Sequence, residues 1–129
     1  MNPDELRYSK EHEWVRVETD GAAAIGITAF AAESLGDVVF VDLPEAGASV
    51  AQFQKFGEIE SVKAVSDLFS PISGSITEVN QGVVDNPQVV NDGPYSEGWL
   101  LRVAMADESE MDGLMSSSEY ESFLESEGG

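Results

Sequence analysis

The strongest constraint on this chain is its punctuation. Ser70-Pro71, Ser73-Gly74, Asp85-Asn86-Pro87 and Asn91-Asp92-Gly93-Pro94 separate apolar runs that are too short for long helices. Each breaker acts through a fixed proline φ, a permissive glycine or a local Asn/Asp side-chain bond. The runs between breakers have strand length and β-favouring side chains. Trp14-Val15-Arg16-Val17 precedes a turn signal at Thr19-Asp20-Gly21, and Ala22 to Thr28 carries Ile25 and Ile27. Val38-Val39-Phe40-Val41 is a continuous apolar run closed by Leu43-Pro44-Glu45-Ala46-Gly47. Phe56 to Val62, Ser75 to Val79 and Trp99 to Met105 supply three more candidate strands. Phe30 to Leu35 predicts a helical turn or two stopping at Gly36. Many short strands at this spacing predict a β-sandwich or a barrel.

The last quarter has another character. From Asp107 onward there are eight acidic residues and no Lys or Arg. Asp107 and Glu110 are spaced like an N-cap and its partner. Ser116 with Glu119, or Ser118 with Glu121, fits a capping box. Tyr120, Phe123 and Leu124 then share one helical face, so a short acidic helix docking on the strands is predicted. Glu125 to Gly129 is expected to fray. At 129 residues the chain has the length of one domain, 1–129, with a core over about 6–105 and an acidic helical segment over about 106–126.

Composition excludes several functions. Six basic residues against 25 acidic ones give a net charge of −19, which repels phosphate backbones and anionic lipid heads. Neither nucleic acid nor membrane is therefore an expected partner; proteins with basic patches are. The absence of cysteine removes disulfides, thiol nucleophiles and thiolate metal sites from the polypeptide. No stretch approaches the roughly 18 apolar residues of a membrane span. Met1-Asn2-Pro3-Asp4-Glu5 has neither a secretory nor an organelle-targeting character, so a cytoplasmic location is expected.

Enzyme templates fare badly. A single histidine, His12, leaves no His-based metal cluster, and no phosphate-cradling or dinucleotide glycine pattern occurs. With nothing to supply a metal or nucleophile, His12 reads as a structural or surface residue. A catalytic pair of carboxylates remains a rival reading, although no convergent set is visible. The lysines are scarce: Lys10, Lys55 and Lys63. Lys10 and Lys55 read as ordinary solvent contacts. Lys63 follows an alternating run in which Ile59 faces one way and Glu58 and Glu60 the other. At the end of that strand, where the chain turns back, it would project into solvent for modification. No Asn-Gly or Asp-Gly marks the reversal. By spacing alone, a surface lysine relieving an acidic neighbourhood is the better reading.

Glu60-Ser61-Val62-Lys63-Ala64-Val65-Ser66-Asp67 is similar to the lipoyl-attachment segment of glycine cleavage H proteins. Further segments resemble that family in its order: His12-Glu13-Trp14-Val15, Ile25-Gly26-Ile27-Thr28, Leu35-Gly36-Asp37-Val38-Val39-Phe40-Val41, Leu43-Pro44 and Ser70-Pro71-Ile72-Ser73-Gly74. So do Glu78-Val79-Asn80, Asn86-Pro87, Val90-Asn91, Pro94-Tyr95 and Gly98-Trp99. Biotin carriers usually place methionine on both sides of the modified lysine, whereas Val62 and Ala64 stand here. One stretch departs from the family. After Ile-Thr, many members carry an acid, then His or Tyr, then Ala-Gln, where this chain has Ala29-Phe30-Ala31-Ala32.

The resemblance implies a mainly β fold of two antiparallel sheets packed as a sandwich or flattened barrel, like the hammerhead of lipoyl and biotinyl carriers. Short helices and a C-terminal helix complete it. It implies lipoate joined as an amide to Lys63, within the motif Glu60, Ser61, Val62 and Ala64, and a carrier with no catalytic residues and no metal. The implied partners are a pyridoxal-phosphate glycine decarboxylase (P protein), a folate-dependent aminomethyltransferase (T protein), dihydrolipoamide dehydrogenase (L protein) and the lipoate-attachment enzymes. A monomer is expected. Glu13 and Asp67 match positions implicated in holding the loaded arm in a surface cleft. A second use of the same modification is as a lipoyl relay to other complexes.

Overall fold

The structure is a computed structural model that describes residues 5–18 and 21–126. The chain start at 1–4, the expected turn residues Thr19 and Asp20, and the end at 127–129 lie outside the described residues. The described strands are β1 (Arg7–Tyr8), β2 (Glu13–Val17), β3 (Ala22–Ile27), β4 (Val38–Asp42), β5 (Ser49–Val50), β6 (Lys55–Ser61), β7 (Val65–Phe69), β8 (Gly74–Val79) and β9 (Leu101–Met105). The helices are α1 (Ala29–Leu35), α2 (Gln81–Asp85), α3 (Val89–Asp92) and α4 (Ser117–Ser126), with a 3-10 helix over Glu108–Gly113.

The strands form two antiparallel sheets, a six-stranded one in the order β1-β2-β3-β9-β8-β5 and a three-stranded one in the order β4-β6-β7. The sheets do not join, so of the two expected forms the chain adopts the open sandwich. Alternation along the strands explains why they pack. Ile59 on β6 is buried while Glu60 points out, and Val15, Ile25, Ile76 and Val103 of the larger sheet share one core with Val38, Val41, Ile59 and Leu68 of the smaller. Each such side chain contributes about 1.5–3 kcal/mol of transfer free energy when fully buried.

A second cluster lies beneath α4, where Leu6, Tyr8, Trp14, Ala24 and Tyr120 are buried with Phe123 and Leu124 packed against them. The capping box that starts α4 is the Ser116 and Glu119 pair. The Ser116 N–H donates to Glu119 Oε1 at 2.8 Å, and the Glu119 N–H donates to Ser116 Oγ at 3.3 Å. Asp107 caps the 3-10 helix by accepting from the Ser109 N–H. The helix α4 runs through Ser126, past the expected onset of fraying at Glu125.

Element ends differ from expectation where side chains claim the backbone. β9 begins at Leu101 rather than Trp99, because Asn80 takes the Trp99 and Leu100 carbonyls through its side-chain and backbone N–H groups. β6 stops at Ser61, leaving Val62 in the turn. α1 behaves as expected: Thr28 Oγ1 accepts from the Ala31 N–H, and Gly36 ends the helix at φ +78°. Among the described residues, no helix is long and apolar enough to cross a membrane.

Candidate functional site

The β6–β7 hairpin carries Lys63 at its tip. Its ladder closes at the Glu60–Val65 pair, and Ser61 organises the reversal beyond it. The Ser61 N–H donates to the Ala64 carbonyl at 2.8 Å. Its hydroxyl accepts from the Lys63 N–H at 3.3 Å and the Ala64 N–H at 3.1 Å, and donates to the Ala64 carbonyl at 3.2 Å. One buried hydroxyl therefore uses its donor and both its acceptor sites on a single turn. Among the described residues only His12 and Phe53 combine a side chain with positive φ. The turn thus lacks the primed geometry that Asn-Gly would mark, and the serine replaces that signal.

Lys63 itself is exposed. Its stem lies beside Gly36: a Cβ built there would meet Lys63 Cε at 3.6 Å, and the +78° φ is one that side-chain-bearing residues resist. Val62 and Val65 flank the lysine as exposed apolar residues, with Glu60 on the outer face of β6. The structure therefore gathers the whole expected motif, Glu60, Ser61, Val62, Lys63 and Ala64, on one hairpin.

Beside the turn opens a cleft of about 450 Å³. Ala64, Ser66 and Asp67 line it from the hairpin side; Ile27, Leu35 and Ile59 give it apolar walls; and His12, at the end of the β1–β2 connection, and Glu13, which opens β2, also line it. Glu13 is buried at the start of β2. Its Oε1 accepts from Ser9 Oγ at 2.7 Å and its Oε2 from the Phe69 N–H at 3.2 Å. Burial pushes its carboxyl from the ordinary 4.5 up to about 8, outweighing those two hydrogen bonds, which favour the charged form. Between pH 4.5 and 8 this acid holds its proton while an ordinary glutamate has lost its own.

Asp67 borders the same cleft, but its carboxylate is engaged elsewhere. It pairs in register with Glu58, and Lys55 Nζ bridges the two, 2.7 Å from Glu58 Oε2 and 3.1 Å from Asp67 Oδ1. Lys55, expected as an ordinary solvent contact, is thus the counter-ion of a cleft-border acid. The hydrogen bonds that Lys55 donates, to Glu58 first and then to Asp67, raise its pKa.

Of the structural and surface readings of His12, the structural one describes its contacts, polar and aromatic. Its Nδ1 lies 2.8 Å from the Tyr120 hydroxyl, and its ring packs on Phe30 with centroids 4.8 Å apart. Phe30 belongs to the stretch that departs from the family pattern, so that stretch meets the cleft through an aromatic contact and the small Ala31. Ser9 was missed by sequence reasoning, because its role depends on the burial of Glu13, which no local pattern marks. Among the described residues, no group of three or more His, Cys, Asp or Glu side chains could hold a metal ion.

Residues 6–127 match the family model described as glycine cleavage H-protein. The chain is 49% identical over 126 residues to the glycine cleavage system H protein of Halorhodospira halophila, covering 98% of this chain and 97% of that one. It is 53% identical over 119 residues to that of Bacillus velezensis, covering 92% and 93%. The crystal structure of a glycine cleavage system H protein from Mycobacterium marinum superimposes with a TM-score of 0.86 at 38% identity, covering 99% of this chain and all of that one.

Proposed function

The chain belongs to the glycine cleavage H-protein family, and we propose that it is a lipoyl-bearing shuttle modified on Lys63. It carries the aminomethyl group of glycine from the pyridoxal-phosphate decarboxylase to the folate-dependent aminomethyltransferase, and dihydrolipoamide dehydrogenase then reoxidises it. It acts as a carrier, and its partners perform the catalysis. The observation that supports this most directly is the Ser61-braced turn, which holds the Lys63 amine in solvent beside a cleft.

The residues fit such a group. The Lys63 amine is accessible for amide formation, and the apolar walls at Ile27, Leu35 and Ile59 suit a hydrocarbon chain. Bound lipoate supplies the redox-active sulfurs that a cysteine-free chain lacks. Ser61 holds the turn, and tethering at Lys63 raises the local concentration of the group at each docked partner. Glu13 lies in the cleft as a protonated acid, able to give up its proton and face a basic nitrogen as a carboxylate. Asp67 contributes a second negative charge at the border, shared with Lys55.

Intact-mass and fragment analysis of the protein from lipoylation-proficient cells tests the reading. One lipoyl adduct is expected, mapping to Lys63 and absent from Lys63→Arg. An unmodified Lys63 in such cells grown with lipoate overturns it.

A further inference from the structure

We propose that Asn91 is a positioning residue for the attachment turn, acting as a substitute strand on the open edge of β4. The three-stranded sheet ends at β4, and the segment leading into that strand, Gly36-Asp37-Val38, bends out of the α1 C-cap onto an edge that has no neighbouring strand among the described residues. Backbone groups on such an edge need partners. The Asn91 side chain, presented by α3, supplies them. Its Oδ1 accepts from the Val38 N–H at 2.9 Å, and its Nδ2 donates to the Gly36 carbonyl at 2.8 Å. A primary amide carries one acceptor and one donor side by side, so it copies the pairing that a peptide group of an adjacent strand would offer.

The consequence reaches Lys63 through the backbone. The hydrogen bonds divide this bend between two partners: the Gly36 carbonyl and the Val38 N–H both go to Asn91, and the Asp37 carbonyl goes to β6. With Asn91 holding the first two groups, the Asp37 carbonyl accepts from the Val62 N–H at 3.0 Å. That bond carries the β4–β6 ladder one step past its last pair, Val38 with Ser61, onto the threshold of Lys63. Gly36, whose carbonyl Asn91 holds, is also the residue beside the Lys63 stem. Asn91 thus fixes both the backbone bond before the lysine and the surface on which the lysine lies. The weaker approach of Nδ2 to the Ala32 carbonyl, at 3.5 Å, ties the same side chain to α1.

This proposal predicts a raised KM with an unchanged kcat when the chain is the substrate of a lipoate ligase. Loosening the turn lowers the fraction of chain in the acceptable shape, which weakens apparent binding by that fraction and leaves the bound reaction untouched. The modification arm rests on Lys63 being the attachment residue; amide exchange at Val62 does not.

The experiment compares wild type, Asn91→Ala, Asn91→Asp and Val103→Ala, the last a core deletion in the other sheet that controls for lost stability. For Asn91→Ala, roughly tenfold faster exchange of the Val62 amide and a roughly tenfold higher KM at the same kcat are expected. Asn91→Asp, which keeps only the acceptor for Val38, is expected to fall between. Val103→Ala, at a temperature where all four are folded, leaves both readouts near wild type. Val62 exchange unchanged in Asn91→Ala overturns the proposal, as does an equal rise in both readouts for Val103→Ala. Faster Val62 exchange together with an unmodified wild-type chain keeps Asn91 as the positioning residue and removes the lipoyl reading instead.

Discussion

At the scale of single residues, Glu13 carries the largest electrostatic consequence. Its folded pKa, about 8, lies above the ordinary 4.5, so the folded chain keeps a proton that the unfolded chain loses across that window. As pH rises from about 4.5 to about 8, Glu13 therefore lowers stability, by up to about 1.4 kcal/mol per pH unit. Below the window both states are protonated, and above it both have lost the proton. Glu13→Gln removes this dependence. Urea unfolding of wild type and variant across the window is expected to show the stability difference moving steadily in the variant's favour, then levelling. A difference that stays constant with pH sinks this account. The motif around Lys63 was legible in the sequence, whereas the burial of Glu13 was not. Nothing local distinguishes Glu13 from Glu11; only the register of β2 against β3, opposite Ile27, turns it inward. The same limit hid the Lys55–Asp67 pair, because those residues meet across a hairpin whose reversal depends on a serine side chain.

At the scale of elements, α4 is held to the sandwich by the Tyr120 phenol as well as by apolar contact. Its hydroxyl lies 2.8 Å from both His12 Nδ1 and Thr28 Oγ1, and its ring stacks on Tyr8 with centroids 4.7 Å apart. Burial pushes the phenol up to about 12, so it stays protonated through the physiological range. Tyr120→Phe keeps the stack and removes the hydrogen bonds; a loss of about 1–3 kcal/mol in urea unfolding is expected. A change within error would mean that ring packing alone docks the helix. The amphipathic stripe and capping box made α4 readable in advance. The elements that were not foreseen are those whose pattern is too short to repeat. β1 and β5 have two residues each, α3 has four, and β7 buries Leu68 alone among its five residues. α2 and α3 sit among the breakers Asp85-Asn86-Pro87 and Asn91-Asp92-Gly93-Pro94, where turn residues outweigh helical periodicity. Such elements exist because the sheets are already there to receive them.

At the scale of the whole molecule, the charge of −19 sets a stability that responds to salt. The scarce cations are placed among acids: Arg16 and Arg102 both meet Glu18, Arg102 also reaches Glu78, and Lys55 bridges Glu58 and Asp67. These pairs lie at the surface, so each contributes little to stability, and salt weakens them. Against them stands the mutual repulsion of the remaining carboxylates, which acts over the whole surface and disfavours the compact state. Both effects shrink as the Debye length falls from about 10 Å at 0.1 M salt to about 3 Å at 1 M. With 25 acids to six bases, the repulsive pairs far outnumber the attractive ones, so screening stabilises on balance. The melting temperature is expected to rise as sodium chloride is increased from low to high concentration. Chloride is the informative salt, because sulfate would also strengthen apolar burial. A melting temperature that falls with chloride would mean that the few ion pairs at Arg16, Lys55 and Arg102 outweigh the repulsion of the whole acidic surface.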